Sequence, residues 1–480
     1  LTMKLLPERP LAIAATMLTA LLVSQMAAAT QNFHAGSVDQ RIKKTIPFNM
    51  SGGNSEDIAH AVATAADGSM VLVGNVSPGE IGVVHMDAHG NVTLKSFISL
   101  PSPVTLEAAA VTLQPDGKVL IAGTRTDGGS TLLVLRLKAN SNQLDPAFGS
   151  NGIAQSTVYG HGTAMVLAPD GSIWAAGYFF NSFLTYGYEF TVLHLTASGE
   201  STTGTGYYDF DRGGDNADEA RAITMMPDGG VLIAGNVRTG NGINAFGLLK
   251  LNGTTGVPDP NFGNIGVDGE TVFRLGQASA CYDNPKAVSM GHNAFSDRIY
   301  VAGTHCQGGT GSLFALAAFD SDGTPDTAFG TQGYSLAGIG PIGAGHYDSA
   351  AAAAMHVWHS VGSPFPVLVD HIVLAGHARH VETGDTDMAL VRFNNDGGVD
   401  TGFGDTGLGA GSAVVAFPDP FGGTSNDAAY GLAFDGGELN GRDLIVAGYA
   451  FSGTNGANDY DFAVTRVLNG DRIFWDGFGP

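Results

Sequence analysis

Carboxylates recur at one place along this sequence, just ahead of short segments rich in small residues: Asp57, Glu107, Asp218, Glu219, Asp283, Asp348 and Asp427. His161 takes that place in the third occurrence. Gathered around one axis, such residues would ring a channel mouth and offer the several hard oxygen ligands that calcium or another divalent cation requires. Once-per-unit recurrence is also what an architectural role produces, with each carboxylate accepting backbone N–H groups at a junction between units, and this reading is favoured. Histidines collect near the same positions. His305, His346, His377 and His380, with Asp283 and Asp348 nearby, have the donor types of a transition-metal site or a general base. Loop histidines in a variable insertion are more often polar surface, so no catalytic residue is assigned. Cys281 and Cys306 lie symmetrically about Asn293-Ala294. In a hairpin turning there they would face each other, and an oxidising compartment would join them as a disulfide.

Other motifs fail on context. Asp320-x-Asp322-Gly323-x-x-Asp326 has the look of a calcium loop but lacks its closing glutamate and coincides with a repeated turn. Gly338-x-Gly340-x-x-Gly343 matches a dinucleotide fingerprint by letter only, with no following helix and no βαβ unit around it. Gly-x-Ser-x-Gly, His-Glu-x-x-His and Cys-x-x-Cys are all absent.

The elements that must position these residues form a repeat. A small-residue segment, an Asp-Gly turn and an aliphatic segment ending in Ala-Gly make one unit, clearest in AAAVTLQPDGKVLIAG from Ala108 to Gly123. The closing glycines are Gly74, Gly123, Gly177, Gly235, Gly303, Gly376 and Gly448, which makes seven units. Each is about 64 residues long, a fixed period of the kind that marks repeat arrays. A third strand follows, as in Leu132–Leu137 and Met388–Phe393, with a basic residue near its end: Arg136, Lys250, Arg392 or Arg466. That residue is expected to pair with an acidic turn residue. Next comes an Asp-x-x-Phe-Gly turn, at Asp145, Asp259, Asp326 and Asp400, whose phenylalanine is expected to pack between units. A weaker fourth strand completes the unit. Four short strands without helical periodicity predict a single all-β, seven-bladed β-propeller of four-stranded antiparallel blades. The last unit stops without its fourth strand, and Ile46-Pro47-Phe48 is the spare segment expected to close the ring.

The repeat at Leu113–Gly123 with Leu144–Gly149, and at Pro227–Gly235 with Asp259–Gly263, resembles the delta-60 repeat of bacterial exported proteins. That resemblance implies a propeller-like fold and export, and it implies no established reaction. Independently, Lys4 and Arg9, the apolar stretch Leu11–Val23 and Ala27-Ala28-Ala29 read as a signal peptide over residues 1–29. The propeller would then occupy residues 30–480, exported to the periplasm, cell surface or medium, with no membrane span in the mature chain. A formal charge of −23 opposes nucleic acid and anionic membranes as partners. The expected function is a monomeric binding or scaffold protein for a protein or glycan, the alternative being a metal-dependent enzyme with its site at the channel mouth.

Overall fold

The computed structural model describes residues 35–48, 56–76, 79–181, 187–210, 217–240, 242–263, 269–276, 283–292, 296–306, 311–339, 347–361, 368–404, 411–418, 426–435, 443–452 and 459–469. Residues 1–29, Cys281, His346, the segment 340–343 and the chain end lie outside this set, and so does the side chain of Asp348. The described residues form seven four-stranded antiparallel sheets and no helix. These are the blades of a seven-bladed β-propeller. The innermost strands are Ile58–Thr64, Thr105–Leu113, His161–Leu167, Glu219–Met225, Asn284–His292, Tyr347–Val361 and Ala428–Phe434, and each touches the next around the ring.

The sheet interiors are buried on both faces. Seven apolar clusters hold the molecule together, and each spans two adjacent blades. The repeated phenylalanine lies in these seams as expected. Phe148 packs between the second and third blades, Phe262 between the fourth and fifth, Phe329 between the fifth and sixth, and Phe403 between the sixth and seventh. Beside each sits the basic residue. Arg136 Nε donates to Asp145 at 3.0 Å and its guanidinium lies 4.6 Å from the Phe148 ring centre, while Nη1 reaches the Ala197 carbonyl of the next blade at 2.8 Å. Arg392 repeats this with Asp400, Phe403 and the Asn469 carbonyl. Lys250 pairs with Asp259, and Arg466 lies 3.7 Å from Asp39. The fifth blade has Ala318 at this position, and Arg298 from the neighbouring strand supplies the cation to Asp326 instead. Arg136 and Arg392 thus bridge two blades, and these cations serve as architecture.

The Ala-Gly signature has a cause that the sequence does not disclose. In every blade the pairing of inner to second strand slips by one residue, after Ala59, Ala108, Gly162, Ala220, Pro285, Ala352 and Ala429. Opposite the slip stands the closing glycine. A Cβ added at Gly74, Gly123, Gly177, Gly235, Gly303 or Gly448 would overlap the inner-strand carbonyl oxygen that folds over it. These glycines serve close backbone approach at a β-bulge. The Asp-Gly turns differ, because there the residue is needed for a left-handed conformation, as at Gly117 with φ 78°. The bulges also break index symmetry along each hairpin. In the fifth blade His292 faces Asp297, yet Asn284 faces Thr304. Counting outward symmetrically from the turn, the basis for setting Cys281 opposite Cys306, is thus shifted by one residue at this end of the hairpin, and Cys281 lies outside the described residues. Cys306 ends its strand and is not a free thiol.

Ring closure uses the N-terminal segment, displaced from its expected place. The strand is Val38–Ile46, paired antiparallel with Tyr460–Val467 from Val38↔Val467 to Ile46↔Phe462. Pro47 has no N–H to donate, and the strand ends before it. Phe48 packs edge-on against Phe462 at 4.9 Å.

Four of the recurrent carboxylates are staples between blades. Asp427 accepts the N–H of Phe417, which follows the outer strand of the preceding blade, at 2.6 Å, and that of Phe451 in its own blade at 3.3 Å. Asp57 accepts from Phe48 at 3.1 Å and Asp283 from Leu275 at 3.1 Å, while Asp218 accepts from Arg238 of its own blade at 2.9 Å and from Phe210 of the preceding one. Asp57 and Asp427 are fully buried. Burial pushes the carboxyls of Asp218 and Asp427 up to about 7.

Three outcomes follow from these joints. Gly123→Ala should lose about 2 kcal/mol in urea unfolding, because the carbonyl of Glu107 must move, and an unchanged midpoint would contradict the close approach. Asp427→Asn should lose about 1–3 kcal/mol, since its NH2 group would face a backbone donor. The pH dependence has a definite sign. With folded values raised above the unfolded 3.8, the folded state binds more protons, so these groups add stability as pH falls from about 8 to about 5. The gain should shrink in Asp427→Asn, and a stability maximum above pH 8 would refute the assignment.

Candidate functional site

Inner strands begin, and second strands end, on the same face of the ring, termed the upper face here. Asp57, Asp218, Asp283 and Asp427 are spent there on backbone groups, with Asp283 also bonded to His305 Nδ1 at 2.7 Å. Glu219 stands one residue past Asp218, and strand alternation turns it the opposite way. Glu107 and His161 hold the same register position as Glu219, each pairing one residue beyond the closing glycine. Glu107 is exposed, and His161 and Glu219 are half-buried. The recurrent set therefore merges two register positions, one closed and one accessible. His161 stacks on Tyr178 at 5.3 Å. Burial pushes the His377 imidazole down, and His380 Nδ1 accepts the N–H groups of Glu382 and Thr383. Among the described residues no three His, Cys, Asp or Glu side chains come together as a metal site.

What the upper face does present is an aromatic surface on the third blade. Its second strand ends Tyr178-Phe179-Phe180-Asn181. On one side, Phe179 stacks with Tyr159 at 6.1 Å and lies 5.0 Å from Tyr207, whose hydroxyl accepts the Tyr159 N–H at 2.8 Å. On the other, Phe180 meets Tyr188 at 5.2 Å and Tyr188 meets Tyr178 at 5.5 Å. Tyr159 is 58% exposed, Phe180 47% and Tyr207 38%, while Phe97 is the remaining large aromatic so exposed among the described residues. Three of four exposed rings thus gather at the upper ends of two adjacent blades, Tyr159 on the second and Phe180 and Tyr207 on the third.

The second of these rows leads to cations. The guanidinium of Arg221, on the fourth blade, lies 5.0 Å from the Tyr178 ring centre and pairs with Glu219, which Asn236 also contacts at 3.2 Å. Lys286, on the fifth blade, follows. Both are bulge residues, left over where the inner strand slips against the second. The corresponding residues elsewhere are His60, Ala109, Thr163, Ala353 and Tyr430, and His60 lies 5.4 Å from Tyr430 across the first and seventh blades.

None of these residues stands out when the repeat is read for what recurs. The signal lies in the departures. After the closing glycine the second and fourth units continue Thr124-Arg125 and Asn236-Val237, the seventh continues Tyr449-Ala450-Phe451, and the third carries three successive rings, Tyr178-Phe179-Phe180. Arg221 and Lys286 interrupt inner segments that are otherwise small or apolar.

Three segments, residues 114–148, 227–262 and 370–403, match the family model of a domain of unknown function (DUF5122) β-propeller. They fall on the second, fourth and sixth blades and support a β-propeller repeat family. No curated protein sequence matches the chain. Solved structures similar to it include a protein of unknown function from Dyadobacter fermentans, at 12% identity and TM-score 0.40, covering 76% of this chain and 95% of that one. The extracellular domains 1–2 of Drosophila Semaphorin 1a are 11% identical with TM-score 0.43 and 88% coverage of each chain. The BP39L lectin of Burkholderia pseudomallei is 12% identical with TM-score 0.39, covering 85% of this chain and 98% of that one.

Proposed function

We propose that this chain is an exported, monomeric binding propeller of the delta-60 type that takes a glycan or protein partner on the upper face of its third blade. One observation carries the reading: rings that a stable core would bury stand exposed in two rows at the upper end of the third blade, one of them shared with Tyr159 of the second. Rigid aromatic side chains cost little entropy on binding and offer flat apolar faces to sugar rings or to apolar side chains. The cations of the repeat are committed to blade seams and Asp57, Asp218, Asp283 and Asp427 to backbone staples, which leaves the irregular residues for recognition. Export is supported by the N-terminal pattern, and a Cys281–Cys306 disulfide would suit it. The charge of −23 disfavours nucleic acid as the partner.

A glycan and protein-ectodomain binding screen of the purified protein tests this, with Tyr159→Ser and Phe180→Ser as paired variants. Each should weaken a hit roughly tenfold or more while unfolding like the parent, because neither ring is buried. Hits that survive both substitutions would remove the aromatic face from the function.

A further inference from the structure

Lys286 is the anomaly in the charge arrangement of this molecule. Each of the other described lysines has an acceptor. Lys43 reaches the Ala416 carbonyl, Lys44 that of Gly90, Lys95 that of Pro47, Lys118 Asp116, Lys138 Gln143, and Lys250 Asp228. Lys286 makes no hydrogen bond or ion pair with any described residue, although it is half-buried in the innermost strand of the fifth blade. Burial, and then the neighbouring Arg221 charge, push its ammonium down to about 8. Arg221 does not relieve it. One carboxylate, Glu219, serves the pair, and it is already held by Arg221 and Asn236. The Arg221 Nε is itself buried without an acceptor. Two adjacent cations therefore share one anion in a protein whose overall charge is −23. An uncompensated, partly desolvated ammonium is costly to keep, and that cost falls when an anion enters.

The surroundings narrow the anion. The row Phe180, Tyr188 and Tyr178 runs from the exposed rim of the third blade to Arg221, with successive contacts of 5.2, 5.5 and 5.0 Å. A ligand spanning it meets the exposed Phe180 ring first and the cation pair last. The global negative field opposes polyanions, which favours a ligand carrying a single acidic group at its end. We infer that the upper face binds an oligosaccharide ending in a carboxylated sugar, its carboxylate held between Lys286 and Arg221 and its neighbouring rings lying along Tyr188 and Phe180, while Tyr178, covered by His161 and Arg221, holds the guanidinium in place. This deepens, and rests on, the reading of the third blade as a binding face.

Calorimetric titration with a glucuronic-acid-terminated disaccharide and its glucose-terminated counterpart tests the inference. The acidic sugar should bind at least tenfold more tightly, and more weakly as salt is raised. Lys286→Met keeps the apolar stem and removes the charge. It should abolish the preference, so that both sugars bind alike, and it should raise the melting temperature, because an unpaired charge has been taken out of a half-buried site. A merely structural lysine would lower it. Equal binding of both sugars by the parent, or a preference that persists in Lys286→Met, overturns the carboxylate site while the aromatic face stands. Tighter binding of an acidic peptide than of the acidic sugar overturns it in favour of a protein ligand. Binding of neither disaccharide also overturns it, and the aromatic face is then judged by the Tyr159→Ser and Phe180→Ser screen alone.

Discussion

A four-stranded blade has two apolar faces and can bury neither by itself. The recurrent features of this protein answer that constraint. The apolar side chains are divided among seven seams rather than gathered in one core, and each seam needs both of its blades. Polar devices sit at the edges of the same seams. On the lower face the Arg136 and Arg392 type of cation fastens a turn of its own blade to a carbonyl of the next. On the upper face a buried aspartate accepts backbone N–H groups from two blades, as Asp427 does from Phe417 and Phe451. A seam is thus sealed apolar in the middle and hydrogen-bonded at its ends.

Recurrence made the architecture legible. The Asp-Gly turns, the aliphatic second strands and the Phe-Gly turns recur because every blade solves the same problem, and seven copies fixed the blade count and the four-strand plan. What recurrence could not reveal was register. Carboxylates one residue apart, such as Asp218 and Glu219, read as one ring, yet strand alternation assigns them to opposite faces, one stapling backbone and one accessible. The bulge opposite each closing glycine is equally invisible, because glycine in a strand admits several explanations and the slip has no letter of its own. The same slip shifts by one residue the symmetric counting that sets Cys281 opposite Cys306. The closing strand was found in the right region but eight residues late in its start, at Ile46 instead of Val38, because Ile46-Pro47-Phe48 is apolar while Val38–Ile46 is largely polar on its outer side.

The candidate site was legible in a different way, as exception. Where one unit breaks the rule that the others keep, the break is free of architectural duty. Tyr178-Phe179-Phe180 and Lys286 are such breaks. Arg298 warns against applying this too freely. It too departs from the pattern, yet it restores to the fifth blade the cation that Ala318 removed, and so belongs to the seam.

The closing strand has a consequence for how the molecule is made. Val38–Ile46 leaves the ribosome before any residue it can pair with, and its partner Tyr460–Val467 comes after all seven inner strands. The two segments stand more than 400 positions apart, so their meeting is the longest-range event in assembly. Until then the Phe462 edge of the last blade is open to any other chain with a free strand to offer. A second copy at the same stage carries that strand, which makes exchange of N-terminal segments between nascent molecules the characteristic hazard of this ring.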